Sequence, residues 1–234
     1  MRTEDFRRHL HSYPELSFEE HSTAAFISEQ LSLLGIEHCP IANTGVLARI
    51  EGKRGNLSRC VVLRADIDAL PIKELTGVEW ASQNEGVMHA CDAAVLYGVL
   101  KRLHTERDFE GTLLAIFQPS GECNLGGAKL VLEENPFKEY NVAAVISEHV
   151  DAELEVGEIG FCPGKFMAST DELHFTVKGV GGDAAMRSRI KDSVVAISDL
   201  ITRLNTFNSD VCAVSVGKVV ADGTANVIPD QTYC

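Results

Sequence analysis

The stretch CVVLRADID, residues 60–68, constrains this chain more than any other part of it. It is almost wholly apolar until its acids appear, the pattern of a strand covered on both faces. A strand of that kind requires packed layers above and below. Its closing acids, Asp66 and Asp68, followed by Pro71, then fall at the end of a sheet, where α/β proteins carry their sites.

The surrounding segments supply the layers. Residues 3–11 and 22–34 carry apolar residues at helical spacing, the second opening on Ser22 and closing at Gly35, both capping residue types. GVLARIEG (45–52) reads as a strand, and Ala93–Glu106 as a helix. GTLLAIFQPS (111–120) is a strand, GGAKLVLEENPF a short helix, and VAAVISEHV (142–150) a strand. This alternation predicts an α/β fold, a mixed sheet with flanking helices.

Gly and Pro breaks in GEIGFCPGKFMAST set a boundary near residue 169, giving domains 1–169 and 170–234. Beyond it DELHFTVKG reads as a strand and RIKDSVVAISDLITRLNTF as an amphipathic helix. CAVSVGKVVADG and ANVIPDQTYC read as two further strands. The order β-α-β-β is the first part of a ferredoxin-like sandwich, and the chain stops at Cys234 inside the last of these strands, so this unit is expected to be partial.

Charge narrows the partners. Lys and Arg total 21 against 34 Asp and Glu, a net charge of −13, with no basic run, which disfavours nucleic acid and anionic membranes. The N-terminus lacks the apolar core of a signal peptide, and no segment approaches the ~18 apolar residues of a membrane span. The expected location is the cytoplasm. Seven cysteines form no CxxC pair, which suits reduced thiols better than a disulfide framework.

Chemistry-bearing residues gather at strand ends and helix starts: Asp66 and Asp68, Cys91 and Asp92, Glu122 with Cys123, and Glu148 with His149. Parallel strands would bring these groups to one edge, where carboxylate, imidazole and thiolate suit Zn²⁺ or a similar ion. Each also has a plainer reading. Cysteine before an apolar helix is commonly a small buried residue, ADIDALP is plausible turn chemistry, and His149 is a strand-end histidine. Only the joint arrangement favours a metal site.

Nine segments, taken in order, carry a resemblance: RRHLHSYPELSFEEHSTAAFISEQLSLLGI, TGVLARIEG, VVLRADIDALPIKE, GVMHAC, FQPSGE, GGAKLVL, EHVDAELEVGEIG, MASTDELHFTVKGVGG and ANVIPD. Together they resemble the metal-dependent amidohydrolases that include aminoacylase-like enzymes, hippurate hydrolase and indole-acetyl-amino-acid hydrolase. The resemblance implies a zinc-peptidase-like α/β domain with an inserted ferredoxin-like α+β lid, which also serves dimerisation. It implies hydrolysis of the amide bond of N-acyl amino acids or small peptides by a pair of divalent metals (Zn, Mn, Ni or Co). Those metals lower the pKa of water and polarise the carbonyl, while a carboxylate moves the proton.

The same resemblance exposes departures. The family's metal loop runs His-Ala-Cys, Gly-His-Asp, one more residue and a second His; here His89, Ala90 and Cys91 lead directly to Asp92 and the helix. A loss of four residues is about one helical turn, so it spares the apolar face while removing ligands. The family's Glu-Glu pair is matched by Gly121 and Glu122, leaving glycine at the general-base position. The lid histidine is matched by Asp183, an acid where the family offers a hydrogen bond to the oxyanion. Cys91, Glu122 and His149 remain as matched ligands, with Asp92 as a fourth candidate and Asp68 as the supporting acid. The expectation is a catalytically impaired or inactive amidohydrolase. Its alternatives are a working hydrolase with a rebuilt site, or a non-catalytic binding or assembly module.

Overall fold

The acid-tipped run becomes β3 (Arg59–Asp66), an interior strand of a five-stranded sheet. The computed structural model describes every residue except Ala90, Cys91, Asn124, Leu125 and Ala152. The chain divides into two units, Met1–Phe161 and Cys162–Cys234.

In the first unit the chain runs through α1 (Thr3–Ser12), α2 (His21–Leu34), β1 (Glu37–Ile41), β2 (Gly45–Glu51), β3, α3 (Ala93–Glu106), β4 (Thr112–Gln118), α4 (Gly127–Glu133) and β5 (Asn141–Ser147). The spatial order is β1-β2-β4-β3-β5. β3 runs parallel to β4 and β5, whereas β1 and β2 are antiparallel additions. Three parallel strands therefore end on the same side of the sheet, and their last residues and following loops are brought together there.

β4 is buried along its whole length, which its unbroken apolar run demands. Leu113, Ala115 and Phe117 face one core with Phe6, Leu10, Ile27, Leu31, Tyr97 and Leu100 from α1, α2 and α3. Leu114 and Ile116 face the other with Val62 and Val131 of α4. Phe6 and Tyr97 stack at 4.2 Å, an arrangement worth about 1 kcal/mol beyond its area. In α3 the buried Ala93, Leu96, Tyr97 and Leu100 keep helical spacing from the first turn onward.

Gly35 closes α2 with φ 71°, as its position predicts. The other end differs from expectation: α2 begins at His21, and the amides of Ser22 and Thr23 are capped by the Glu15 carboxylate at 3.1 and 2.7 Å. A carboxylate accepts two amides at once, so Ser22 is taken into the helix.

The second unit contains β6 (Thr176–Lys178), β7 (Gly182–Asp183), a 3₁₀ turn (Ala184–Arg189), α5 (Ser193–Asn205), β8 (Val227–Ile228) and β9 (Gln231–Tyr233). β6 pairs with β9 and β7 with β8. Asp192 caps α5 through Val194 and Val195. The strand expected over 212–223 is absent as a ladder, with only isolated bridges at Cys212 and Val220. Alternating apolar residues make a strand only where a neighbour supplies hydrogen bonds. The strand expected over 225–234 is split at Pro229, which has no N–H to donate. No helix among the described residues is long and apolar enough to cross a membrane.

Candidate functional site

The parallel strands deliver Asp66 and Asp68 after β3, Gly121 and Glu122 after β4, and Glu148 and His149 after β5. Asp92 joins them from the start of α3. Cys91, the matched thiolate ligand, lies outside the described residues.

Asp68 is buried and fully engaged. Its Oδ1 accepts the Gly121 amide at 2.8 Å, and its Oδ2 accepts the Glu122 amide at 3.0 Å and the Ser17 hydroxyl at 2.6 Å. A buried carboxylate needs such donors, and these hold the loop that carries Glu122. The residue before that loop is fixed in the same way. Glu20, fully buried, accepts the Ser120 amide at 2.7 Å and the Thr44 hydroxyl at 2.6 Å. The Ser120 hydroxyl in turn accepts the Phe18 amide at 2.8 Å. Ser120 has φ 52°, a conformation such contacts must hold in a non-glycine residue.

Asp92 does not cap its own helix. Its Oδ2 meets His149 Nδ1 at 3.1 Å, and its Oδ1 accepts the Val150 amide at 3.3 Å. The pair ties the start of α3 to the loop after β5. His149 is half exposed.

The remaining carboxylates crowd one another. Burial pushes the Asp66 carboxyl up to about 6, opposed by its ion pair with Arg64 and reinforced by Asp68. Glu122 is raised by burial and then by Asp68; Glu148 is raised by burial and then by Asp92. Charge alone would welcome a cation here.

The described residues do not form a two-metal cage. Both oxygens of Asp68 and both of Asp92 already accept hydrogen bonds, and Asp66 is paired with Arg64, leaving Glu122, Glu148 and the outer face of His149 among the described residues. Among the described residues no group of three or more His, Cys, Asp or Glu side chains is arranged to hold a metal ion. The paired metals implied by the resemblance therefore do not fit the described donors.

The space beside position 121 is already taken. A Cβ on Gly121 would overlap Oδ1 and Cγ of Asp66, closer than non-bonded atoms approach. The neighbouring strand's carboxylate fills the room that a side chain at 121 would need. Asp183, in the second unit, accepts the Ala185 amide at 2.9 Å and caps the 3₁₀ turn.

A second polar group lies under the loop before α3. His11 bridges the His89 carbonyl and Glu74 Oε1, each at 3.0 Å. The Ser82 amide, with Thr76 and His11, holds the Glu74 carboxyl down to about 2. Burial drives the His89 imidazole down to about 4, so it is neutral at ordinary pH.

Sequence reasoning gathered the strand-end acids and His149. It passed over Glu20 and Ser120, because FEEHS offers two adjacent acids and no sign of which turns inward. The one available signal was the Pro-Ser-Gly run just after a mostly apolar strand, which marks a tight turn needing outside support.

Comparison with known proteins sets these features in context. A profile described as Peptidase family M20/M25/M40 matches residues 62–227. The N-acetyl-L-cysteine deacetylase of Bacillus subtilis (strain 168) is 39% identical over 236 residues, covering 96% of this chain and 56% of that protein. The N-acetyldiaminopimelate deacetylase of Listeria monocytogenes serotype 4a (strain HCC23) is 35% identical, covering 97% and 63%. In the crystal structure of the Bacillus subtilis YXEP protein, described as a dinuclear metal binding peptidase from the M20 family, the match has a TM-score of 0.71 at 34% identity. It covers 99% of this chain and 61% of that one. The chain thus spans less than two thirds of the length of each of these relatives.

Proposed function

Because this chain belongs to peptidase family M20/M25/M40, we propose that it is an amidohydrolase-type protein for N-acyl amino acids or small peptides whose hydrolytic chemistry is impaired. The names of two relatives, both deacetylases of N-acetylated amino acids, support the substrate class. Residues 170–234 are read as part of the family's lid, and the cytoplasm as the location.

The observation that carries the impairment is position 121. Glycine offers no carboxylate to take a proton from water or pass it to the leaving amine, and Asp66 occupies the space one would need. Loss of such a base costs ~10² to 10⁴ in rate. Two further features support the reading: Asp92 accepts from His149 and the Val150 amide, and Asp183 stands where the family has an oxyanion donor. What survives is the support. Asp68 and Glu20 still shape the loop around Glu122. Any retained cation is a single ion at Glu122 and His149 with Cys91.

The test is amine release from N-acetyl-L-cysteine and N-acetyldiaminopimelate by the purified chain supplied with Zn²⁺ or Mn²⁺, alongside metal content by plasma mass spectrometry. Release no faster than the metal-only control, with fewer than two bound metals, is expected. Release that EDTA stops and Glu122→Gln removes would overturn the reading in favour of a rebuilt site.

A further inference from the structure

Residues 71–87 form a long loop without helix or strand, closed at its neck by backbone bonds between Leu70 and Met88 at 2.9 and 3.0 Å. Loops of more than about 12–15 residues without secondary structure are uncommon in compact domains and are generally functional. The ties of this one converge on Glu74. The Ser82 amide donates to its Oε2 at 2.6 Å, while the Thr76 hydroxyl and His11 Nε2 both meet Oε1, His11 at 3.0 Å. From the same ring Nδ1 meets the His89 carbonyl, one residue past the neck, at 3.0 Å. His11 stands on α1, so one imidazole joins the helix, the loop and the segment that enters α3. Neutral bonds run beside it between helix and loop, from the Ser12 hydroxyl to the Trp80 carbonyl and from the Gln83 amide to the Ser12 carbonyl.

The partners decide the charge of the ring. A carbonyl oxygen and a carboxylate oxygen can only accept, and a neutral imidazole has a single N–H. Either neutral tautomer therefore sets a ring lone pair against an oxygen lone pair. The side chains of His11 and Glu74 are only 9% and 6% exposed, so little water is at hand to relieve that clash. Moving the proton to Glu74 instead asks a carboxyl that already accepts from Ser82 and Thr76 to become a donor; those bonds hold it ionised, down to about 2. The charged groups at this corner are Glu74 from the loop, Asp68 after β3 and Asp92 before α3, with Arg7 on α1 and the His89 ring beside them. Among the described residues anions outnumber cations there.

We propose that His11 is a buried imidazolium that works as a proton-operated clasp, fastening the 71–87 loop and the segment entering α3 to α1. With the proton in place both nitrogens donate. When it leaves, one of the two bonds is lost, and either the loop or the segment is released from the helix. The linkage has two ends. Glu74 contributes stability that is present above the ordinary carboxylate range and is lost as pH falls toward about 2. The imidazolium contributes stability that is present at lower pH and is lost as pH rises through the point where His11 gives up its proton. The clasp is closed between those two limits.

Nitrogen-15 NMR of the histidine rings in the full chain tests this, with the His11 signals assigned by their loss in His11→Gln or, if that variant does not fold, by through-space contacts. At neutral pH, where free histidine is mostly uncharged, both His11 nitrogens should carry protons. Glu74→Gln, which keeps an acceptor oxygen but removes the charge, should leave His11 with one N–H; should that variant fail to fold, the wild-type titration decides alone. As pH is raised, loss of the second proton should coincide with a fall of about tenfold in the exchange protection of the Ser82 and Gln83 amides, beyond the intrinsic effect of pH. Leu114, inside β4, should keep its protection. A His11 ring with one N–H at neutral pH, or a proton found on Glu74 through its carboxyl carbon shift, would overturn the proposal. So would an imidazolium whose loss leaves Ser82 and Gln83 as protected as before, since the charge would then fasten nothing.

Discussion

Asp66 and Asp68 leave the same strand end two residues apart and meet opposite surroundings. Asp68 turns toward the loop after β4 and is met by two backbone amides and a hydroxyl. Asp66 turns into the space beside Gly121, where Arg64 is its ionic partner and other carboxylates lie around it. Three donors stabilise one charge; burial and like charges oppose the other. The difference separates two jobs within one site. The carboxylate that shapes the loop is fully satisfied, as are Glu20 and Ser120, while the carboxylate beside it is crowded by its neighbours.

The largest test of that division is Asp68→Ala. It removes the charged acceptor of the Gly121 and Glu122 amides and the Ser17 hydroxyl, bonds worth about 1.5–3 kcal/mol each before water replaces part of them at these partly open positions. A loss of about 3–4 kcal/mol in urea unfolding is expected. A loss below about 1 kcal/mol would mean that the loop holds its shape without the clamp.

Gly121→Ala probes the other side. Its methyl must displace the Asp66 carboxylate, and overpacking of this kind costs about 1–3 kcal/mol. The matching thermal midpoint should fall, and the double variant Asp66→Ala with Gly121→Ala should recover most of the loss. No recovery would show that the two residues do not compete for space.

Asp66→Asn is the smallest expected effect and the only one of opposite sign. A carboxyl raised to about 6 in the folded state binds its proton more tightly there than in the unfolded chain. Stability therefore falls as pH rises from about 4 to about 6 and stays lower above that window. Removing the titration should stabilise the protein at pH 7 by about 1 kcal/mol, allowing for solvent screening. Below about pH 4 the gain should vanish. A variant less stable than the wild type at pH 7 would show that the Arg64 ion pair outweighs the crowding.

The fold was legible where pattern and packing agree. β3 and β4 are read from unbroken apolar runs because a strand buried on both faces admits nothing else, and α3 from the spacing of Ala93, Leu96, Tyr97 and Leu100. The meeting of Asp68, Glu122 and His149 followed from parallel strands sharing one end. β1 was missed because EHCPI, with a proline and polar neighbours, carries no strand period; only pairing with β2 makes it one. The run from 212 misled in the reverse sense, having the period without a partner. Position 121 was legible as a glycine, but the carboxylate lying against it comes from another strand, and local sequence does not record which side chains meet across a sheet.

The bond from the Ser120 amide to Glu20 joins residues 100 apart in the chain. A contact of that span forms only after a large loop has closed, so it belongs to the slow, non-local part of folding. The turn bearing Glu122 therefore acquires its shape only once the segment before α2 has met the end of β4. Until about half of the chain has been synthesised and docked, no partial fold contains the site. In the finished protein that bond shields the Ser120 amide proton, so its exchange with solvent reports the parting of the Glu20 segment from the end of β4 rather than the fraying of either alone.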